Sequence, residues 1–274
     1  MKINVTNTIV SLSGSNSLYE PTMNHIRTNG IVVYLDVETE DILERCHKMK
    51  VTRIVGQSTR PLREILEYRK AFYERDYDYR ILVGRNETVE NIAHMVVDSV
   101  EKDQEYISTR GGEECSQFND IIQRGLAKDR GLFVPKYFPS LKLNQLERLV
   151  DLNYEDRCLR ILEMFPIGEL KPQLLHRFIV ESYSTFTNDK VLPLTKIENE
   201  HYLMEEYFGP TASFKDLALQ LFPKLYNESV KDQTNKSSIL VATSGDTGSA
   251  VLAGFKEIGL PVIVLYPHNK IRLV

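Results

Sequence analysis

The apolar positions along the chain follow two rhythms that alternate. GIVVYLDV (30 to 37) is an apolar run of strand length, and TEDILERCHKM after it repeats its apolar residues at helical spacing. RPLREILEYRKAFYERDY carries that spacing over a longer helix, YRILVG reads as a short strand, and ETVENIAHMVVDSVEK as a further helix. Strands alternating with helices predict a parallel α/β arrangement. Near residues 102 to 108 the helical pattern gives way to QEYISTRGG, and a boundary is expected there. The middle of the chain is mostly helical. NQLERLVDLNYEDRCLRILEMF and KPQLLHRFIVESYSTF read as helices that pack a core, and KVLPLTKI and HYLMEEYF as short strands.

The last quarter is the most regular. SILVATSGDTGSAVLAGFKEIGLPVIVLYP reads as strand, glycine-containing turn, helix and strand. ILVA and VIVLY are continuous apolar β-formers, as expected for strands covered on both faces. Gly259 and Pro261 end the helix and open the second strand. The unit is βαβ, with a right-handed crossover expected.

Two places in this pattern carry chemistry. In GPTASFKDLALQLF (209 to 222), Ser213 and Asp216 form a capping-box pattern ahead of a helical apolar run. That spacing puts Lys215 in the first turn, where the helix dipole disfavours a cation by ~0.3–1 kcal/mol. Burial would push the same way, toward a neutral amine able to bond an aldehyde cofactor. A solvated lysine whose stem covers apolar surface has the same local pattern, and spacing does not separate the two. The second place is Ser244-Gly245-Asp246-Thr247-Gly248, between the carboxyl end of a strand and the start of a helix. Free N–H groups and the dipole there suit a carboxylate or a phosphate. A plain strand-to-helix turn with Asp246 or Thr247 as N-cap fits equally well.

Composition narrows the classes of partner. The 274 residues, 42% hydrophobic and 26% charged, allow one large or two ordinary domains. A net charge of -4 gives no electrostatic reason to expect nucleic acid or an anionic membrane surface. Cys46, Cys115 and Cys158 are too scattered for a disulfide framework or a CxxC metal pattern, and the histidines are scattered too. That usage fits a reducing compartment. No stretch reads as a membrane span, signal peptide or transit peptide, so the expected location is intracellular, cytoplasmic or mitochondrial. Neither GxxxxGK[ST] nor GxGxxG occurs, which leaves nucleotides poorly supported as ligands.

GPTASFKDLALQ taken with ATSGDTGSA resembles the threonine synthase family, pyridoxal-phosphate enzymes of the fold-type II group. YISTRGG (106 to 112) and GLAKDRGLFVP (125 to 135) precede them in the family's order, so the resemblance covers about residues 104 to 271. It implies that Lys215 bonds the cofactor aldehyde and then moves protons between substrate carbons, with Asp216 in support. It also implies that Ser244, Gly245, Asp246, Thr247 and Gly248 face the cofactor ring and the substrate carboxylate. The implied reaction converts O-phosphohomoserine to threonine: phosphate leaves the γ carbon and water adds at the β carbon. Phe208 stands where the family has His, and Arg130 where it has Gly. YPHNKI resembles a stretch that leads, in the family, toward a glycine-rich loop for the cofactor phosphate. No such loop is among these residues, so the expectation is a chain incomplete for catalysis by itself.

The first part is similar to the second half of a shikimate kinase, through VSLSGSNSLYE, GIVVYLDV and RPLREILEYRKAFYERDYDYRI. This implies that Arg60 matches a lid arginine that meets phosphate and Arg69 one that binds the shikimate carboxylate, roles that suit a guanidinium fork. Solvated helix arginines are the other reading of both. Ser13-Gly14-Ser15 stands where that family has a triple glycine, and with no phosphate-cradling loop kinase activity is not expected. A kinase-like segment ahead of a threonine-synthase-like one resembles the vertebrate threonine synthase-like proteins.

The expected fold is therefore α/β in two parts. Residues 1–103 form a partial nucleoside-monophosphate-kinase-like segment, and residues 104–274 the N-terminal region of a fold-type II pyridoxal-phosphate enzyme. Two functional readings follow. One is a phospho-lyase for O-phosphohomoserine or a related phosphorylated amino acid. The other is a non-catalytic regulatory or interaction protein, whose partner reaches the sheet edges of ILVA and VIVLY.

Overall fold

The computed structural model describes residues 8–268 apart from 52–53, 55, 58, 102–104, 116, 169 and 234–236. The chain divides into two compact units. The first comprises Met1–Lys102 together with Pro139–Asp151 and Lys171–Gln173, and the second comprises Asp103–Phe138, Leu152–Leu170 and Leu174–Val274. Among the described residues no helix is long and apolar enough to cross a membrane.

The first unit runs α1 (Glu20–Asn29), β1 (Val33–Asp36), α2 (Thr39–Lys48), α3 (Leu62–Tyr73), β2 (Tyr79–Leu82) and α4 (Val89–Glu101). β1, α2, α3, β2 and α4 follow the apolar rhythm, whereas α1 is not among the elements read from it; Pro21 in the first turn of α1 starts that helix with φ already set. β1 and β2 pair in parallel from Val33↔Tyr79 to Asp36↔Leu82. Met23, Val32 and Tyr77 are buried together, with Ile26 and Tyr34 packed against them. A cavity of about 260 Å³ lies along β1, lined by Leu12, Met23, Val33, Tyr34, Leu66 and Tyr73 among others.

The second unit begins with β3 (Tyr106–Ser108), β4 (Glu114–Cys115), α5 (Phe118–Arg124) and β5 (Phe133–Pro135). β3 lies between the other two strands, antiparallel to both. Arg130 sits at φ 66°, in the left-handed region that favours glycine. The next helix, α6 (Leu143–Leu146), belongs to the first unit. It is followed by α7 (Tyr154–Leu162) and α8 (Pro172–Tyr183). The single helix expected over NQLERLVDLNYEDRCLRILEMF is thus broken into α6, a 3-10 turn (Glu147–Leu149) and α7. Asn153 causes the restart: its Oδ1 accepts the Asp156 N–H at 2.7 Å, an N-cap that begins a new helix.

Leu159, Leu175, Phe178, Ile179, Tyr183, Val191 and Leu221 form the core of this unit. Each such side chain stabilises the fold by about 1.5–3 kcal/mol through burial. Two hydrogen bonds tie α8 to the second half of the lysine motif. Tyr183 Oη donates to the Leu217 carbonyl and Ser182 Oγ to the Gln220 carbonyl, both at 2.9 Å.

β6 (Leu194–Glu198) and β7 (His201–Met204) form an exposed antiparallel hairpin. After it come α9 (Asp216–Leu219), α10 (Phe222–Val230), β8 (Ile239–Ala242), α11 (Asp246–Phe255) and β9 (Val262–Leu265). β8 and β9 pair in parallel from Ile239↔Val262 to Ala242↔Leu265, with α11 as the crossover. The expectation of cover on both faces is corrected. Leu240, Ile263 and Leu265 are 66%, 53% and 52% exposed, while the alternate residues are half-buried. α11 covers one face, where Val264 lies against Gly248, and leaves the other open.

Candidate active site

The lysine motif is shaped by a buried carboxylate. Asp216 has no exposed surface; its Oδ2 accepts the Thr211 N–H at 2.8 Å, and its Oδ1 accepts Thr211 Oγ1 at 2.9 Å and Gln220 Nε2 at 3.1 Å. The aspartate thereby closes the loop that precedes it. Gly209 is needed for that closure, because a Cβ there would stand 2.5 Å from the Cβ of Asp216. Within the loop Ala212 is held at φ 54°. A left-handed conformation costs a non-glycine residue about 1–3 kcal/mol and persists only where its surroundings enforce it.

This geometry corrects the capping box. Ser213 Oγ accepts from the Lys215 N–H at 3.3 Å, and the Asp216 side chain turns back to Thr211 instead of capping the helix. Lys215 is the N-cap of α9 and not a first-turn residue, and α9 has only four residues. The expected dipole effect on the amine therefore has little helix behind it.

At the second motif the N-cap is Gly245, at φ 158° and ψ -84°, and not Asp246 or Thr247. Asp246 is the first residue of α11, and its Oδ1 accepts the Thr247 N–H at 3.0 Å. The Gly245 N–H donates to Thr243 Oγ1 at 3.1 Å. Ser244 is exposed and Gly248 is buried under the turn.

The two motifs meet. Lys215 Nζ donates to Asp246 Oδ2 at 2.6 Å, and the Phe214 ring centroid lies 4.2 Å from the same nitrogen. The lysine side chain is 26% exposed, so the amine is half-buried at a surface and not sealed in the interior. Behind this pair Gln220 Nε2 reaches the Ala250 carbonyl at 3.4 Å, a link between the end of α9 and the middle of α11. Gln220 stands four residues after Asp216, a helical spacing at which such side chains pair, so sequence could have found it. Thr211 and Phe214 gave no comparable signal.

The hydrogen bond from Lys215 holds the Asp246 carboxyl below the usual carboxylate range, with the Thr247 N–H adding to it. A depressed folded value means that the pair's contribution is present above the ordinary aspartate value and fades as pH falls through the lower folded one. In an NMR titration of the side-chain carboxyl carbon, Asp246 should therefore have a midpoint below about 3.9. Lys215→Met should move that midpoint up. A midpoint at the ordinary value with Lys215 intact would contradict the pairing.

Arg60 and Arg69 lie in the other unit. Arg60 is exposed, with its backbone N–H on the Gly56 carbonyl at 3.1 Å. Arg69 is not the solvated helix arginine of the alternative reading. It is 7% exposed, and a Cβ added to Gly14 would come within 3.0 Å of its Nη1.

Comparison with known proteins shows what the chain is similar to. Residues 105–183 match the family model described as threonine synthase N terminus, and residues 2–101 match that of shikimate kinase. The pyridoxal-phosphate-bound threonine synthase of Brucella melitensis aligns with a TM-score of 0.58 at 32% identity, over 61% of this chain and 36% of that one. Yeast threonine synthase aligns with a TM-score of 0.57 at 31% identity, over 62% and 37%. The chain thus contains part of the α/β fold of the pyridoxal-phosphate-dependent threonine synthases, preceded by a shikimate-kinase-like segment. Both parts occur together in its relatives. Human threonine synthase-like 1 is 34% identical over 98% of this chain and mouse threonine synthase-like 1 is 36% identical over the same share, so the chain is a homologue of the vertebrate threonine synthase-like proteins. It spans 39% of the length of those two relatives.

Proposed function

We propose that the second unit carries pyridoxal phosphate on Lys215 and belongs to a phospho-lyase acting on O-phosphohomoserine or a related phosphorylated amino acid. The observation that carries this reading is the 2.6 Å bond between Lys215 and Asp246, which joins two motifs 31 residues apart. The residues fit the aldehyde end of the cofactor. An amine stands at the mouth of the 244–248 loop, and among the described residues, its own chain neighbours apart, nothing lies within 4 Å of where a Cβ of Gly245 would be, so the loop backbone is bare enough for a flat ring.

Bound there, the cofactor would supply an electron sink for carbanion chemistry. Lys215 Nζ would hold the aldehyde carbon and, once released from it, move a proton to and from the substrate carbons. Asp246 orients that nitrogen. The N–H groups at the start of α11 suit the substrate carboxylate, with the Asp246 charge offset by Lys215. Asp216 acts at a distance, by fixing the loop from which Lys215 projects.

A second reading, a non-catalytic interaction module, is favoured by the exposed apolar face of Leu240, Ile263 and Leu265 and by the outer edges of β8 and β9, which pair with no further strand among the described residues. Its partner would be a protein that covers this face. The two readings differ in one experiment, which follows the rate at which borohydride traps pyridoxal phosphate on the chain. O-phosphohomoserine is expected to slow trapping at Lys215, whereas homoserine and inorganic phosphate at equal concentration are not. Equal slowing by inorganic phosphate would contradict the substrate class, and no trapping at Lys215 would leave the interaction reading standing.

A further inference from the structure

The carboxyl ends of β1 and β2 are covered by the chain itself. Open parallel sheets take their small-molecule ligands in the crevice beyond those ends. In the first unit residues 142–149 lie there, anchored on the last residues of both strands. Arg148 Nη1 donates to the Val83 carbonyl at 2.9 Å and also to the Asp36 carbonyl, and its Nη2 donates to Asp36 Oδ1 at 2.9 Å. Gln145 Nε2 donates to the Leu82 carbonyl at 2.7 Å, while its Oε1 accepts the Lys142 N–H at 2.9 Å. Asn144 Nδ2 donates to the Arg85 carbonyl at 3.1 Å, and Lys142 Nζ pairs with Glu87 at 3.1 Å.

This is a built interface and not a chance contact. Asp36, Gln145 and Leu149 are 2%, 5% and 5% exposed. The Asp36 carboxylate is shared by Arg148 and, at 3.6 Å, Arg80, so loss of one arginine leaves a buried charge short of a partner. Gly84 admits the segment, since a Cβ there would stand 2.3 Å from Asn144 Nδ2.

We infer that residues 142–149, a part of the first unit, act as an intramolecular ligand of its β1–β2 sheet, seated where a sheet of this kind takes a small molecule. A two-stranded sheet has little stability alone, so the segment and the strands form one cooperative unit.

Native-state amide hydrogen exchange on the whole chain tests this. Amides of 143–149 should exchange together with those of β1 and β2. Arg148→Met should raise exchange across 143–149 by about ten-fold or more, and leave the core of the second unit unchanged. Gln145→Met keeps every charge in place and should act in the same direction, so the test survives if Arg148→Met does not fold. Exchange of 143–149 at the rate of an unstructured peptide in the unaltered chain, or indifference to Gln145→Met, would overturn the inference.

Discussion

Gly254→Ala is expected to destabilise the second unit by at least the about 1–3 kcal/mol typical of an overpacked core. A Cβ at residue 254 would stand 1.9 Å from the Leu219 carbonyl oxygen and 3.0 Å from Pro223 Cγ. The first of these is backbone and cannot swing aside, so α11 must move away from α9. Those two helices begin at the candidate site. Lys215 caps α9 and Asp246 opens α11, and the buried link from Gln220 to the Ala250 carbonyl lies between. A methyl group on the far end of α11 therefore acts on the chemistry through the separation of the helices. Denaturant unfolding measures the first effect. The second should appear as a rise of the Asp246 titration midpoint toward the ordinary value. Leu252→Ala, at a position 49% exposed on the same helix, should change stability by no more than about 0.5 kcal/mol. Equal unfolding midpoints for the Gly254→Ala and parent chains would contradict the close packing of α11 on α9.

Much of the βαβ unit at the end of the chain was legible, because its periodicity changes sharply at the glycine turn and again at Gly259. The exposure of one sheet face was not. Every residue of ILVA and VIVL is apolar, so the two-residue alternation that would reveal a half-covered strand is absent from the sequence. The break at Asn153 was hidden for a related reason: apolar residues continue at helical spacing on both sides of it, and only the side-chain cap interrupts the helix. Residues 144–149 read as part of a core helix, whereas the partners of Gln145 and Arg148, Leu82 and Asp36, are far earlier in the chain. Local pattern carries no trace of such a pairing.

At the site, the residue types were readable and their arrangement was not. Lys215 and the 244–248 turn were singled out from their own neighbourhoods, but nothing local to either says that the ammonium meets Asp246. Ser213 and Asp216 matched the capping-box spacing, yet Thr211 offers Asp216 both an N–H and a hydroxyl, and that pair of bonds wins. For Arg69 a role toward a carboxylate and a solvated helix arginine both stand open in the sequence, because helical spacing does not show that the Gly14 segment lies over it.

Lys215→Ala should remove covalent capture of pyridoxal phosphate altogether, the largest effect expected of any single substitution here. A Schiff base needs a primary amine at the right place, and alanine leaves none. Asp246 would lose its ion-pair partner, while Asp216 would keep its bonds to Thr211 and Gln220, so the surrounding loop should stay folded. Lys224 and Lys231, on or next to α10, serve as internal controls for indiscriminate reaction with surface amines. The decisive measurement is peptide mapping of the chain after incubation with pyridoxal phosphate and reduction with borohydride. The site described here predicts a single dominant adduct on Lys215 that vanishes in Lys215→Ala. An adduct spread over several lysines, or one that persists undiminished in Lys215→Ala, would contradict it.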